Sequence, residues 1–124
     1  MERRTVQRDA IKSVFEQTAR PLTPQEILDR AKRQVPKLGI ATVYRTVKSL
    51  SEEGLLVPVD APGEPTRYEG AGKSHHHHFS CRTCGRMFEM EGCPEGITAL
   101  VPAGFQMEDH EFIVYGRCKE CAAA

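Results

Sequence analysis

No cysteine and no histidine occurs before His75 in this 124-residue chain, so everything N-terminal to that position is without a soft metal ligand. Long apolar runs are missing too: none approaches the roughly 18 residues that would cross a bilayer. The opening Met1-Glu2-Arg3-Arg4 lacks the apolar stretch of a secretory signal. The expectation is a cytoplasmic chain with no membrane partner. Net charge is absent, with 17 basic and 17 acidic side chains. Hydrophobic residues make up 40% of the chain and charged ones 27%, which excludes a disordered tail and a fibrous repeat. The length allows one domain, or two very small ones that each need a staple to stay folded.

The zero net charge conceals a division by position. Residues 1–50 carry 11 basic and five acidic side chains, a balance of +6, so the remainder carries −6. A basic half suits a polyanion such as DNA, whose phosphates attract cations whatever the base sequence; a solvated charged face is the plain alternative. Within this half, Val6, Ala10, Ile11, Val14 and Phe15 recur at helical spacing and predict a helix from about Thr5 to Gln17. Thr23-Pro24-Gln25-Glu26 places a hydroxyl at an N-cap, proline at the first helical position and a carboxylate at the third, the pattern of a capping box. Ala41 to Glu53 follows, with Val43, Val47 and Leu50 on one side and Gly54 as its stop. Leu55–Val59 and Thr66–Glu69 flank a turn-rich segment and read as a hairpin. Three helices and a hairpin make a winged helix-turn-helix, whose last helix enters the major groove. Thr42, Tyr44 and Arg45 lie off its apolar stripe, and Tyr44 and Arg45 are the preferred contacts, to bases or to phosphates. Arg3, Arg4 and Arg8 are candidate phosphate or minor-groove contacts.

The acidic half holds the metal chemistry. Cys81-Arg82-Thr83-Cys84-Gly85 and Cys118-Lys119-Glu120-Cys121 are two CxxC knuckles, and four thiolates complete the tetrahedral set that Zn²⁺ takes in closed structural sites. With no open coordination position, catalysis there is not expected. Disulfides would require an oxidising compartment. Just before the first knuckle runs His75-His76-His77-His78. In an extended strand His76 and His78 share one face and His75 and His77 the other, so one strand feeds two sites. Glu69, Glu89, Glu95 and His110 are the further donors within reach, and such a set suits Fe²⁺, Mn²⁺, Zn²⁺, Co²⁺ or Ni²⁺.

These segments together, from Gly39-Ile40-Ala41-Thr42-Val43-Tyr44-Arg45 through Tyr68-Glu69 and the histidine run to Tyr115-Gly116-Arg117-Cys118, resemble the ferric uptake regulator (Fur) superfamily over nearly the whole chain. The resemblance implies an α+β protein: a winged-helix DNA-binding domain over residues 1–69 and a small α/β dimerisation domain over 70–124 with a four-cysteine zinc site. It implies a homodimeric, metal-dependent repressor on double-stranded DNA. By position it makes Cys81, Cys84, Cys118 and Cys121 the structural zinc ligands. Glu69, His76, His78 and Glu89 become a regulatory site at the domain junction, and His75, His77, Glu95 and His110 a second site inside the dimerisation domain. The stretch between Cys84 and His110 is shorter than in many members. Two departures stand out: Arg20-Pro21-Leu22 occupies the segment where many members carry a further histidine ligand, and Cys93 is an odd thiol in the sensor half. Cys93 reads three ways, as a soft extra ligand, a redox switch or a small buried hydrophobe.

The function expected is metal-linked repression, with metal as corepressor and a near-palindromic operator matching a twofold protein. The string from His75 to Gly85 with Glu89-Met90-Glu91-Gly92 is most similar to the zinc-uptake branch. The regulatory metal is therefore Zn²⁺ or Fe²⁺, with Mn²⁺ as a further option, and an iron-responsive regulator is the alternative. A peroxide sensor is disfavoured because that branch carries aspartate where Glu89 stands. Two readings from other classes are a metal-dependent hydrolase built on the histidine run, which turnover of ester or phosphoester substrates would reveal, and a zinc-ribbon interaction module, whose duplex binding would ignore labile metal.

Overall fold

In the computed structural model, which describes residues 3–124 apart from the Arg3 side chain, the first apolar stripe folds as α1 (Arg3–Gln17). Ala10, Ile11 and Val14 are buried on it and Phe15 packs at the edge of the core, whereas Val6 is 40% exposed. The stripe therefore reaches the core only from the second turn onward. The capping box forms as the sequence predicts and starts α2 (Pro24–Ala31). The Glu26 amide donates to Thr23 Oγ1 at 3.2 Å, and the Thr23 amide donates to Glu26 Oε1 at 3.0 Å. Arg20 Nη2 holds the same carboxylate at 2.9 Å, fixing the entry to the helix. Thr23→Ala removes the hydroxyl acceptor and costs about 1 kcal/mol of stability, to be read from chemical denaturation of the full chain.

Val43, Val47 and Leu50 are the buried side of α3 (Ile40–Glu52). Its end is a Schellman turn: Gly54 takes φ +78°, its amide donates to Ser51 O, and the Leu55 amide reaches back to Leu50 O at 2.9 Å. Only glycine takes that φ without strain. The chain leaves this turn as β1 (Leu56–Val59), which pairs antiparallel with β2 (Arg67–Gly70) in the register Leu56↔Gly70 to Val59↔Arg67. A two-stranded wing is marginal in isolation. Here Leu22 adds a bridge on the other edge of β2, exchanging amide–carbonyl bonds with Tyr68 at 2.9 and 2.8 Å. One cluster running from Ala10 to Leu56 in sequence is the core of this half. The first unit ends at Lys73, beyond the boundary read from the sequence. Gly70 completes the strand, the Ala71 amide donates to Leu55 O at 3.0 Å, and Lys73 Nζ bonds Ala19 O and lies 3.6 Å from Glu69 Oε2.

The second unit, Ser74–Ala124, is a three-stranded sheet. Its central strand β3 (His76–Cys81) pairs antiparallel with β4 (Met87–Glu91) and parallel with β5 (Ile113–Gly116), and a short α4 (Lys119–Ala123) closes the chain. Between β4 and β5 the connection carries a single 3₁₀ turn, Ile97–Leu100. The buried hydrophobic residues of this unit are Cys81, Met87 and Cys118, joined by the buried His77 and Ser80. Two of the three are cysteines of the CxxC knuckles, so the unit has little apolar core apart from these thiols. The architecture is α+β, as expected.

Candidate metal centres and nucleic-acid interface

The two knuckles converge. The ligand atoms of Cys81, Cys84, Cys118 and Cys121 all lie within 4.8 Å of one another, with Cys84 Sγ 3.8 Å from Cys118 Sγ. The first knuckle is a tight turn in which the Gly85 amide donates to Cys81 O at 3.0 Å, Gly85 itself sitting at φ +78°. That turn aims the Cys84 amide at Cys81 Sγ, at 3.4 Å, and the second knuckle adds the Cys118 amide at 3.3 Å. These two donors pull the Cys81 thiol down to about 6, a thiolate at neutral pH. Arg86, donating from Nε to Cys84 Sγ at 3.3 Å, lowers the Cys84 thiol as well. The same guanidinium reaches Glu120 Oε2 at 3.1 Å and so ties one knuckle to the other. Cys121 is pushed up to about 12, first by its bond with Cys118 and then by burial. Four sulfurs at one point, with amide and guanidinium donors already stabilising thiolate, are the donor set of a closed structural zinc site.

The histidine run alternates as its strand position requires. On one face the rings of His76 and His78 meet edge to face, with centroids 4.8 Å apart. Glu91 stands across from His76 and Glu89 across from His78 in the β3–β4 ladder, so two carboxylates share that face. His76 Nδ1 donates to Ser74 O at 2.8 Å, which puts the ring's lone pair on Nε2, the atom a cation would take. Glu69 lies in the first unit, buried on β2 with Lys73 as its cation.

The other face carries His75 and His77, whose Nε2 atoms are 3.1 Å apart, and His110, whose Nε2 is 3.0 Å from that of His75. The fourth member of this group is Cys93 rather than Glu95. Cys93 Sγ is 3.3 Å from His77 Nε2 and 3.2 Å from His110 Nε2. Glu95 follows Pro94 in an exposed turn ahead of the 3₁₀ helix and is not part of the cluster. Cys93 is itself solvent-exposed, so it is not a small buried hydrophobe. Burial, together with its neighbouring imidazoles, holds His77 below the ordinary histidine pKa.

In the first unit, Tyr44 is 55% exposed on α3 and Arg45 is exposed beside it, its Nη2 donating to Thr42 Oγ1 at 3.1 Å. Both stand off the buried Val43-Val47-Leu50 side. Arg4 is exposed on α1. Arg8 is engaged otherwise: its Nη2 meets Glu53 Oε1 at 2.6 Å, tying α1 to the end of α3 and lowering the Glu53 carboxyl. The Arg3 side chain lies outside the described residues.

A recognition helix beside a wing, followed by a sheet that carries a four-cysteine cluster and a histidine strand, matches the model of the ferric uptake regulator family over residues 2–115. The chain belongs to the ferric uptake regulator family. The ferric uptake regulation protein of Campylobacter jejuni is 33% identical over 122 residues, covering 94% of this chain and 78% of the relative. The zinc uptake regulation protein of Mycobacterium tuberculosis is 32% identical over 122 residues, covering 96% and 94%. Among solved structures, the Helicobacter pylori ferric uptake regulator, described as having three functional metal-binding sites, matches with a TM-score of 0.75 at 28% identity, over 94% of this chain and 79% of that one. Ferric uptake regulators are metal-sensing, DNA-binding repressors that act as dimers, and this chain is a metal-responsive transcription regulator of that family. Among the described residues no helix is long and apolar enough to cross a membrane.

Proposed function

We propose that this member of the ferric uptake regulator family is a zinc-responsive repressor, in which zinc acts as corepressor for binding a near-palindromic operator. The carrying observation is the paired imidazoles of His76 and His78, which share a face with Glu89 at the start of the strand that follows the wing. Glu69, His76, His78 and Glu89 would hold the regulatory cation. Such a site shifts DNA affinity only through its differential affinity for two arrangements of the molecule, and a coupling of about 1–3 kcal/mol changes DNA affinity about 5- to 150-fold. The four-cysteine cluster is the separate structural zinc site. Support for zinc over iron comes from the run His75 to Gly85 followed by Glu89-Met90-Glu91-Gly92, the string most similar to the zinc-uptake branch.

Thr42, Tyr44 and Arg45 fall in the first two turns of α3, the part of a recognition helix that reaches base edges. Arg45→Ala weakens operator binding by about 1–3 kcal/mol and relaxes selectivity at one base pair, whereas Arg4→Ala weakens binding evenly and lowers the salt slope by about 1. Arg8 contacts phosphate only by leaving Glu53. Fluorescence anisotropy on a palindromic duplex, with Zn²⁺, Fe²⁺ or Mn²⁺ added anaerobically, tests the metal assignment. Zn²⁺ should drive binding at the lowest free concentration, and Fe²⁺ doing so instead makes the chain an iron regulator.

A further inference from the structure

The group on the inner face of β3 does not need Glu95, and its fourth donor is a thiol. Three Nε2 atoms and one Sγ stand 3.0–3.3 Å apart along the four contacts that link them. A tetrahedral zinc ion with ordinary bond lengths sets ligand edges of about 3.3 Å between nitrogens and about 3.6 Å from nitrogen to sulfur, so the four atoms already stand within a few tenths of an ångström of a zinc shell. His77 is held in place among these donors. It is 1% exposed, its Nδ1 is buried with no hydrogen-bond partner among the described residues, and its ring is pinned by Phe112 stacked at 3.9 Å. Nothing but the convergent cluster compensates its Nε2.

We infer that His75, His77, Cys93 and His110 form a second zinc site of three imidazoles and one thiolate, and that Cys93 makes this site selective for Zn²⁺ over Mn²⁺ and Fe²⁺. A carboxylate in the fourth place would give a set of nitrogens and oxygen that the harder ions also accept, whereas thiolate shifts the set toward the softer metal. The inference deepens the zinc reading above and concerns the opposite face of β3. All four ligands belong to the second unit, so the site acts on that unit's own order. Cys93 stands near the start and His110 near the end of the long connection between β4 and β5, in which Leu100 is 83% and Phe105 72% exposed. A connection of that length without strands or buried side chains is unusual in a small domain. One ion joining its two ends to β3 closes it as a staple.

Cobalt substitution of the full-length dimer provides the test, because thiolate-to-cobalt charge transfer counts sulfur ligands. With both sites loaded, all five cysteines contribute. Cys93→Ser should remove the share of one thiolate in five and lower the chelator-resistant zinc content by one ion per chain, while Glu95→Gln changes neither. Cys93→Asp, which keeps a donor and guards against a folding defect, should retain the ion, lose the same spectral share and gain Mn²⁺ relative to Zn²⁺. Full charge transfer and zinc content in Cys93→Ser, loss of the ion in Glu95→Gln, or unchanged metal preference in Cys93→Asp would each overturn the inference. His76→Ala serves as the separating control. It should abolish the zinc response of DNA binding with the Cys93 signal intact, so the two readings fail independently.

Discussion

Cys118→Ser in the full-length protein unfolds residues 74–124 and spares the winged helix. The reason is the poverty of the second core, whose buried hydrophobic residues are Cys81, Met87 and Cys118. Structural zinc contributes about 10–16 kcal/mol of binding free energy that is also folding free energy, as large as the whole net stability of a typical domain. Cys118 contributes twice, since its sulfur sits in the cluster and its amide donates to Cys81 Sγ. The first half has its own cluster from Ala10 to Leu56 and no ligand in the site. Circular dichroism should therefore keep the signal of α1 to α3, thermal melting should lose one transition, and zinc content should fall. A variant that retains zinc and both transitions would show that the second unit is held by something other than its thiols.

The second large effect is expected at the outer face of β3. His76→Ala removes an imidazole whose Nδ1 is already committed to Ser74 O, a bond that presents Nε2 outward. Its loss leaves the cysteine cluster untouched, so the protein should remain folded with its structural zinc while the response of DNA binding to added zinc disappears. The expected drop is the full coupling factor, about 5- to 150-fold in operator affinity at saturating metal. Acid should imitate the variant. Imidazoles ligate only when neutral, so metal-dependent binding should fade as pH drops below roughly 6.5. Anisotropy titrations at fixed zinc across this range check the fade in DNA binding, and a pH-independent zinc response would contradict it.

What could be read directly from the residues was local. The capping box at Thr23, the glycine stop at Gly54 and the alternation of the histidines each depend on neighbours within a few positions, and each stands in the structure as read. The four cysteines were legible because paired CxxC turns have few other uses in a reducing compartment. What escaped was non-local. The Leu22–Tyr68 bridge and the Arg8–Glu53 ion pair join residues far apart in sequence, and no periodicity announces them. Val6 fits the helical stripe yet lies above the core's edge. Placing Glu95 in the second site came from positional resemblance across a shortened connection. The structure puts Cys93 there, and Glu95 falls in the exposed turn after Pro94. The presence of an odd cysteine in a histidine-rich half was the available signal.

The central claim, that metal held by the sensor governs the grip on DNA, is tested most directly by one paired measurement. Operator affinity is compared for the dimer with its labile metal removed by a mild chelator and for the same preparation reloaded with Zn²⁺, with the four-cysteine zinc retained in both. Affinity should rise about 5- to 150-fold on reloading. Equal affinity in the two states would contradict the account.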